Sequence, residues 1–229
     1  MVAIAVRRGG AESLTPSLAA WAKRLAICCD EPNLSREAIA AALEGAVAMH
    51  ARVGRPELLW SGPSVQGSTL RRHDEALVDL VTAARERVLL VSFAAYRLEA
   101  LSDALAAALA RGVQLSLVLE HSEESEGRLS VDARLGFAPE ILRSARCYCW
   151  PADARERDER QRAGLLHAKC AAADGREALI TSANLTGFAM NLNIELGVRL
   201  FEPDLAARIE RQFDALIHAG YLVRTDPML

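Results

Sequence analysis

The segment "LLHAKCAAADG", residues 165–175, indicates the fold of the chain around it. It is a short, apolar, strand-like run that ends in Asp174 and Gly175, a dipeptide favoured in tight hairpin turns. His167 and Lys169 interrupt the run, although lysine occurs at only one other position of a chain that otherwise uses arginine. Side chains alternate faces along a strand, so these two project from one side, about 7 Å apart. We therefore expect them to reach a common ligand.

Further polar residues come after the predicted hairpin turn. The returning strand "EALIT", residues 177–181, leads into Ser182 and Asn184 at its end, where their polar groups are free. Farther along, Glu195 lies within the apolar run "NIELGVRL", residues 193–200. A charged residue in a buried strand needs a partner. The pattern predicts an antiparallel pair and one more strand that carry polar groups.

Helical and strand-like segments alternate in the rest of the chain, which favours an α/β fold with a mixed β-sheet flanked by helices. The other predicted strands are "RVLLVSF" (87–93), "VQLSLVLE" (113–120) and "RCYCW" (146–150). The predicted helices cover residues 70–84, 98–109 and 132–145, and a last amphipathic helix carries Leu205, Ile209, Phe213 and Leu216.

The N-terminal part differs in composition from the remainder of the chain. Residues 14–50 are rich in Ala and Leu and are broken by the turn-like "CDEPNLS", residues 29–35, which predicts two or three helices. Gly, Pro and Ser then collect in residues 54–68, which indicates a boundary or a long connection. We expect a helical N-terminal region over residues 1–58 and a second domain over 59–229.

Composition and charge exclude several classes of protein. The 229 residues are 51% hydrophobic and 25% charged, as in an ordinary globular protein. A net charge of −3 gives no global attraction to polyanions, so any nucleic-acid binding must come from a local patch. The N-terminus reaches arginine too soon for a signal peptide, and no segment approaches a membrane span. We expect a cytoplasmic protein that does not bind membranes, and its five dispersed cysteines are expected to be free thiols.

The polar residues form one ordered set that resembles the signature of the phospholipase D superfamily, an H-x-K-x4-D motif, a G-S-x-N-like segment and a later glutamate. Thr181 stands where that family commonly has glycine. More narrowly, "ELLWSGP", "VLLVSFAAYR" and "GLLHAKCAAADG" resemble the phospholipase D-like component of the DISARM phage-defence systems. The matching residues are His167, Lys169, Asp174, Ser182, Asn184 and Glu195.

The resemblance implies an α/β/α sandwich that cleaves phosphodiester bonds through a phosphohistidine, with no cofactor and no metal. The catalytic residues would be His167, Lys169, Asp174 and Glu195, and the phosphate-binding residues Lys169, Ser182 and Asn184. Neutral imidazole is a nucleophile near pH 7, and a carboxylate such as Glu195 can hold its other nitrogen. Asp174 would have a supporting role, in which it orders the hairpin and pairs with a nearby basic group.

The reaction also needs an acid for the leaving oxygen. The chain has one such motif and no internal repeat, and members with a single motif pair two chains, which implies a homodimer with a shared site. His121, at the end of a predicted strand, is the alternative acid within the chain. We expect nucleic acid, with single-stranded DNA favoured, as the substrate, and other defence proteins as possible partners.

Other interpretations remain open at this point. A lipid phosphodiesterase would use the same chemistry, and an assembly module could retain the fold with weak or no activity. Cys147, Cys149 and Cys170 could join His167 as zinc ligands. The charged residues 151–164 are interpreted as a solvated, mobile loop, and Arg71, Arg72 and His73 as exposed residues at a helix start.

Overall fold

The computed structural model describes Arg24, Ile27 and residues 35–52, 56–63, 70–96 and 98–225. It divides the chain into two compact units, Met1–Val53 and Gly54–Leu229. In the first unit, helix α1 covers Arg36–Arg52. The helices predicted before residue 35 lie outside the described residues, except that Arg24 and Ile27 are helical. In the second unit, a strand over residues 57–61 crosses the boundary expected between residues 58 and 59.

The second unit is built on one mixed sheet with the strand order β2-β1-β8-β7-β6-β3-β4-β5-β9. Its strands are β1 (Glu57–Ser61), β2 (Arg71–Arg72), β3 (Arg87–Ser92), β4 (Gln114–Leu119), β5 (Arg146–Cys149), β6 (Cys170–Ala173), β7 (Glu177–Thr181), β8 (Glu195–Leu200) and β9 (Val223–Thr225). Its helices are α2 (His73–Ala83), α3 (Glu99–Ala110), α4 (Pro139–Ser144), α5 (Gly187–Asn191) and α6 (Pro203–His218). The mixed sheet flanked by helices confirms the predicted fold class.

Burial explains the layers. β3 and β4 lie in the centre of the sheet and are apolar along nearly their whole length, because helices cover both of their faces. On one face, Leu77, Leu80 and Leu105 from α2 and α3 join the main core. On the other face, α6 packs through residues such as Ile209 and Phe213. These two belong to the predicted amphipathic helix.

β6 and β7 form the predicted antiparallel hairpin. Asp174 and Gly175 both have positive φ angles, 55° and 60°, and the N–H of Arg176 donates to the carbonyl of Ala173 at 2.9 Å. These are the conformations of a type I′ turn, which Asp-Gly adopts at low cost. This local signal was sufficient to predict the turn.

Several predicted elements were wrong. The single helix expected over residues 132–145 is a 3₁₀ turn, Ala133–Gly136, followed by α4. Proline at 139 disfavours helical geometry in the residue before it, and Ala138 has a ψ of 144°. The connection expected over residues 54–68 contains β1, which pairs with β8 and gains its backbone partners only in the folded sheet. No helix in the described ranges is long and apolar enough to cross a membrane.

Candidate active site

His167 and Lys169 lie in an extended segment just before β6, and the structure brings them together. The Lys169 ammonium nitrogen is 3.3 Å and 3.4 Å from the two ring nitrogens of His167 and donates to the His167 carbonyl at 2.9 Å. The histidine is exposed, whereas the lysine is buried. Burial lowers the pKa of Lys169, and the nearby carboxylate of Glu195 opposes that shift. An exposed nucleophile and a partly desolvated cation therefore share one edge of the sheet.

Glu195 lies at the start of β8 near the same edge, but it does not bind His167 as predicted. Its carboxylate accepts a hydrogen bond from the Ser182 hydroxyl at 2.5 Å and one from the Asn193 side-chain amide at 3.3 Å. Among the described residues no hydrogen bond joins Glu195 to His167. The sequence located the carboxylate but could not identify its donors, because those depend on the turn after β7.

The turn after β7 places Ser182 and Asn184. The Thr181 hydroxyl accepts from the N–H of Ala183 at 2.9 Å, so the residue that departs from the family pattern shapes this turn. The Ser182 hydroxyl also accepts from the N–H of Leu196 at 3.1 Å. The buried side-chain oxygen of Asn184 has no hydrogen-bond partner among the described residues. Ser182 is thus fixed between two strands, and the Asn184 side-chain oxygen is an acceptor that no donor uses among the described residues.

Asp174 lies away from this group, at the hairpin turn that it was expected to order. It is at the other end of β6 from Lys169, which corresponds to roughly 16 Å along an extended chain. Its carboxylate accepts from the backbone N–H groups of Arg85, Glu86 and Arg87 at 2.8, 2.9 and 2.9 Å. Burial alone would raise the pKa of Asp174, but these donors lower it below its ordinary value. Asp174 joins the hairpin to the start of β3 through backbone donors rather than a basic side chain.

Two residues near the site were not predicted. The Phe93 ring, immediately after β3, lies 5.3 Å from the His167 ring with a tilt of 54°, and the Lys169 nitrogen is 5.9 Å from its centroid. His73, expected to be exposed, is buried, and its Nδ1 is 2.9 Å from the Ser61 hydroxyl. A Cβ on Gly197 would be 2.7 Å from His73 Nε2, so only glycine fits beside that ring. For Phe93, its position after an apolar strand was the available signal.

A buried ion pair lies behind His167. Arg155 was expected in a mobile loop, but it is fully buried and donates to both oxygens of Glu120 at 2.8 and 3.2 Å. The N–H of Leu166 donates to the same carboxylate at 3.1 Å. Arg155 also donates to the carbonyls of Trp150 and Gly164. This pair holds the backbone immediately before the candidate nucleophile.

His121 is not positioned to assist His167 within the chain. It is buried beside Asp132 and Arg134, and its pKa is lowered by burial and by the charge of Arg134. In the described structure no contact joins the two histidines. The geometry therefore does not support His121 as the acid that protonates the leaving oxygen.

The alternative zinc site is not assembled either. Over the described ranges no group of three or more His, Cys, Asp or Glu side chains could hold a metal. Burial raises the pKa of Cys149 to about 11 and that of Cys170 to about 12. Zinc binds thiolates. Both thiols pack among apolar side chains, as expected of cysteines that serve as small core residues.

Two cavities meet at His167. The first, of about 590 Å³, is a cleft that also includes Lys169, Thr181 and Arg208 of α6. The second, of about 250 Å³, is mostly apolar and includes Trp150 and Phe213. A group bound to the histidine can therefore extend into a cleft that carries two cationic side chains, Lys169 and Arg208, and into a mostly apolar cavity.

Solved structures similar to this one share the fold. NucT from Helicobacter pylori superposes with a TM-score of 0.56 at 13% identity, and the phospholipase D family member Nuc from Salmonella typhimurium with 0.51 at 20%. Each alignment covers 75% of this chain and 99% of the other. Phosphatidylserine synthase from Haemophilus influenzae gives 0.52 at 16% identity, with 86% of this chain aligned to 49% of that one.

Sequence comparison gives a more specific result. The search of curated proteins found no match. A family model described as "Cardiolipin synthase, PLD-like domain" matches residues 77–217, which include His167, Lys169 and Glu195. That match extends over more than half of the chain and ends within α6, so the protein belongs to the phospholipase D-like family.

Proposed function

We propose that this protein is a phosphodiesterase that cleaves single-stranded nucleic acid through a phosphohistidine on His167, without a metal, at a site shared by two chains. The observation that carries the proposal is the exposed imidazole with the ammonium of Lys169 3.3 Å from its ring. A cation at this position would neutralise the charge of a phosphate bound to the ring. Such preorganised groups contribute about 10²–10³ each to the rate.

The proposed reaction has two steps. A ring nitrogen of His167 attacks phosphorus, a P–N bond forms, and the P–O bond to the leaving group breaks. The leaving oxygen takes a proton from His167 of the partner subunit. Water then attacks phosphorus and gives its proton back to that histidine as the P–N bond breaks, which restores both imidazoles.

Other side chains complete this arrangement. Ser182 and Asn184 lie just after β7, at the same end of the sheet. The side-chain N–H groups of Asn184 would donate to a phosphate oxygen, and the Ser182 hydroxyl would do so by turning its proton away from Glu195. Glu195 holds the Ser182 hydroxyl at 2.5 Å, so it acts on the phosphate site through Ser182. Rotation of its carboxylate toward His167 would be needed for the histidine contact that the resemblance implies.

The surface beside the site supports a homodimer. From α5 to β8 the chain exposes four large apolar side chains that are close in sequence to Glu195: Phe188 (69%), Leu192 (65%), Ile194 (68%) and Leu196 (55%). Exposed apolar side chains that cluster on a surface often mark a protein–protein interface. A second copy seated there would cover it and bring the missing acid.

Two observations bear on the class of substrate. Arg208 lines the cleft with Lys169, and this second cation suits a polymer with a phosphate next to the scissile one. A lipid phosphodiester is the second candidate, because the matching family model is named for cardiolipin synthase and one structural neighbour is a phosphatidylserine synthase. A role in phage defence, as a component of a DISARM-type system, is supported by the sequence resemblance.

The test is cleavage of single-stranded DNA, of short-chain phosphatidylcholine and of an aryl phosphodiester by purified protein in excess chelator. We expect the wild type to cleave DNA and the aryl ester and His167→Asn to cleave neither. A radiolabelled substrate should leave acid-labile label on the wild-type protein alone. His218→Asn, which changes an exposed histidine at the end of α6, is the matched control and should remain active.

Other outcomes would redirect the proposal. Cleavage of the lipid but not of DNA would identify a lipid phosphodiesterase. Activity that survives in His167→Asn would exclude the phosphohistidine. A folded dimer without activity on any substrate would favour an assembly module, and a plaque assay with His167→Asn in the host would then show whether defence needs the histidine.

A further inference from the structure

The apolar cavity beside His167 is not used by the phosphate chemistry. It measures about 250 Å³. Its walls come from α6, from the segment before β6, from Trp150 after β5 and from the two residues before β9, Tyr221 and Leu222. Three of its residues are aromatic, Trp150, Phe213 and Tyr221. Its aromatic and aliphatic lining favours an apolar or aromatic group over a charged one.

The cavity is held in shape by the buried ion pair. The guanidinium carbon of Arg155 is 5.2 Å from the centroid of the Trp150 ring, and Arg155 is itself fixed by Glu120. Leu166, whose N–H binds Glu120, also lines the cavity. The wall is therefore preorganised, which reduces the entropy lost when a ligand binds.

The position of the cavity limits which groups can occupy it. His167 lines both the apolar cavity and the cleft with Lys169 and Arg208. A substituent carried by a phosphate at His167 can enter the cavity while the adjoining phosphates remain in the cationic cleft. In a nucleic acid, a flat aromatic base is attached one sugar away from each phosphate, and bases stack on aromatic side chains whatever their identity.

We propose that this cavity is a subsite for one unpaired nucleobase next to the scissile phosphate. The proposal deepens the proposed function and rests on it. A base in the cavity must be out of its duplex, so the subsite selects single strands. It also gives little sequence preference, since stacking has no hydrogen-bond code.

The test compares a dinucleotide with its analogue that lacks one base, with kcat/KM measured for each. In the wild type we expect the base-containing substrate to be preferred by about tenfold or more, the size typical of one stacked base.

Tyr221→Ala should abolish most of that preference, and Tyr221→Phe should restore it, because the ring is what stacks. Tyr221 is 54% exposed, so its loss is tolerated by the fold. Leu135→Ala, an exposed apolar residue that lines neither cavity, is the control.

The outcomes separate this proposal from the one it rests on. Equal cleavage of both substrates by the wild type, with both lost in His167→Asn, would overturn the subsite and leave the phosphodiesterase intact. Cleavage of neither substrate would count against the proposed function. If Tyr221→Ala instead reduced cleavage of short-chain phosphatidylcholine, the cavity would be a lipid site and the base subsite would be wrong. Phe213→Leu, which changes a second ring, should repeat the result of Tyr221→Ala.

Discussion

Lys169 is buried beside the proposed nucleophile, so loss of its proton should change kcat as the pH is raised. Burial lowers its pKa, so the ammonium loses its proton at a pH below the ordinary lysine value. If the charge is needed, kcat should fall as the pH rises through that lowered pKa. Lys169→Arg should leave a weak activity without this alkaline limb, because guanidinium stays charged. Lys169→Met should lose about 10²–10³ in kcat. An unchanged alkaline limb in Lys169→Arg would assign it to another group.

Asp174 should be important for stability and not for chemistry. Asp174→Ala leaves three backbone N–H groups without their acceptor, which we expect to cost about 1–3 kcal/mol in the free energy of unfolding. Urea unfolding measures this, and kcat of the folded variant at 25 °C should be close to that of the wild type. A large loss of kcat at unchanged stability would return Asp174 to the catalytic set.

The same carboxylate gives a dependence of stability on pH. Its pKa in the folded protein is lowered, so its contribution is present above the ordinary aspartate value and disappears as pH falls through the folded value. The difference in unfolding free energy between wild type and Asp174→Asn should therefore shrink in acid. Asp153→Asn, which changes an aspartate with no ion pair in the described structure, is a matched control.

The segment before β6 depends on the Glu120–Arg155 pair. Glu120→Gln leaves the buried charge of Arg155 without its partner, and Arg155→Met leaves that of Glu120. Each substitution should lower the free energy of unfolding by about 3–5 kcal/mol. The double substitution removes both charges and should recover most of that loss in a double-mutant cycle measured by urea unfolding. Its kcat should remain low, because Leu166 has lost its charged acceptor. Full recovery of kcat as well would limit the pair to a structural role.

Element boundaries show where local sequence was insufficient. β1 and β9 are short strands at or near the sheet edges, and their pairing with β8 and β5 comes from distant parts of the chain. The split of the expected helix over residues 132–145 had a local cause, since proline at 139 restricts the residue before it. The hairpin of β6 and β7 was predicted correctly because its turn depends on two adjacent residues.

Assembly of two chains into one site leads to a quantitative expectation. If each chain supplies one histidine, mixing wild type with His167→Asn under conditions of subunit exchange should reduce activity as the square of the wild-type fraction. Ile194→Asp, in the exposed apolar segment, should give a monomer by light scattering and lose activity while remaining folded. A linear decline in the mixing experiment would mean that each chain acts alone.

The sequence by itself determined the alternation of helices and strands, the hairpin turn and the spacing that puts His167 and Lys169 on one side. These features depend on period and on neighbouring residues. Only the tertiary structure joined Asp174 to the start of β3, gave Glu195 to Ser182, and buried Arg155 against Glu120. Those contacts join residues that are 13 to 89 positions apart, so they exist only once the sheet has brought distant strands together.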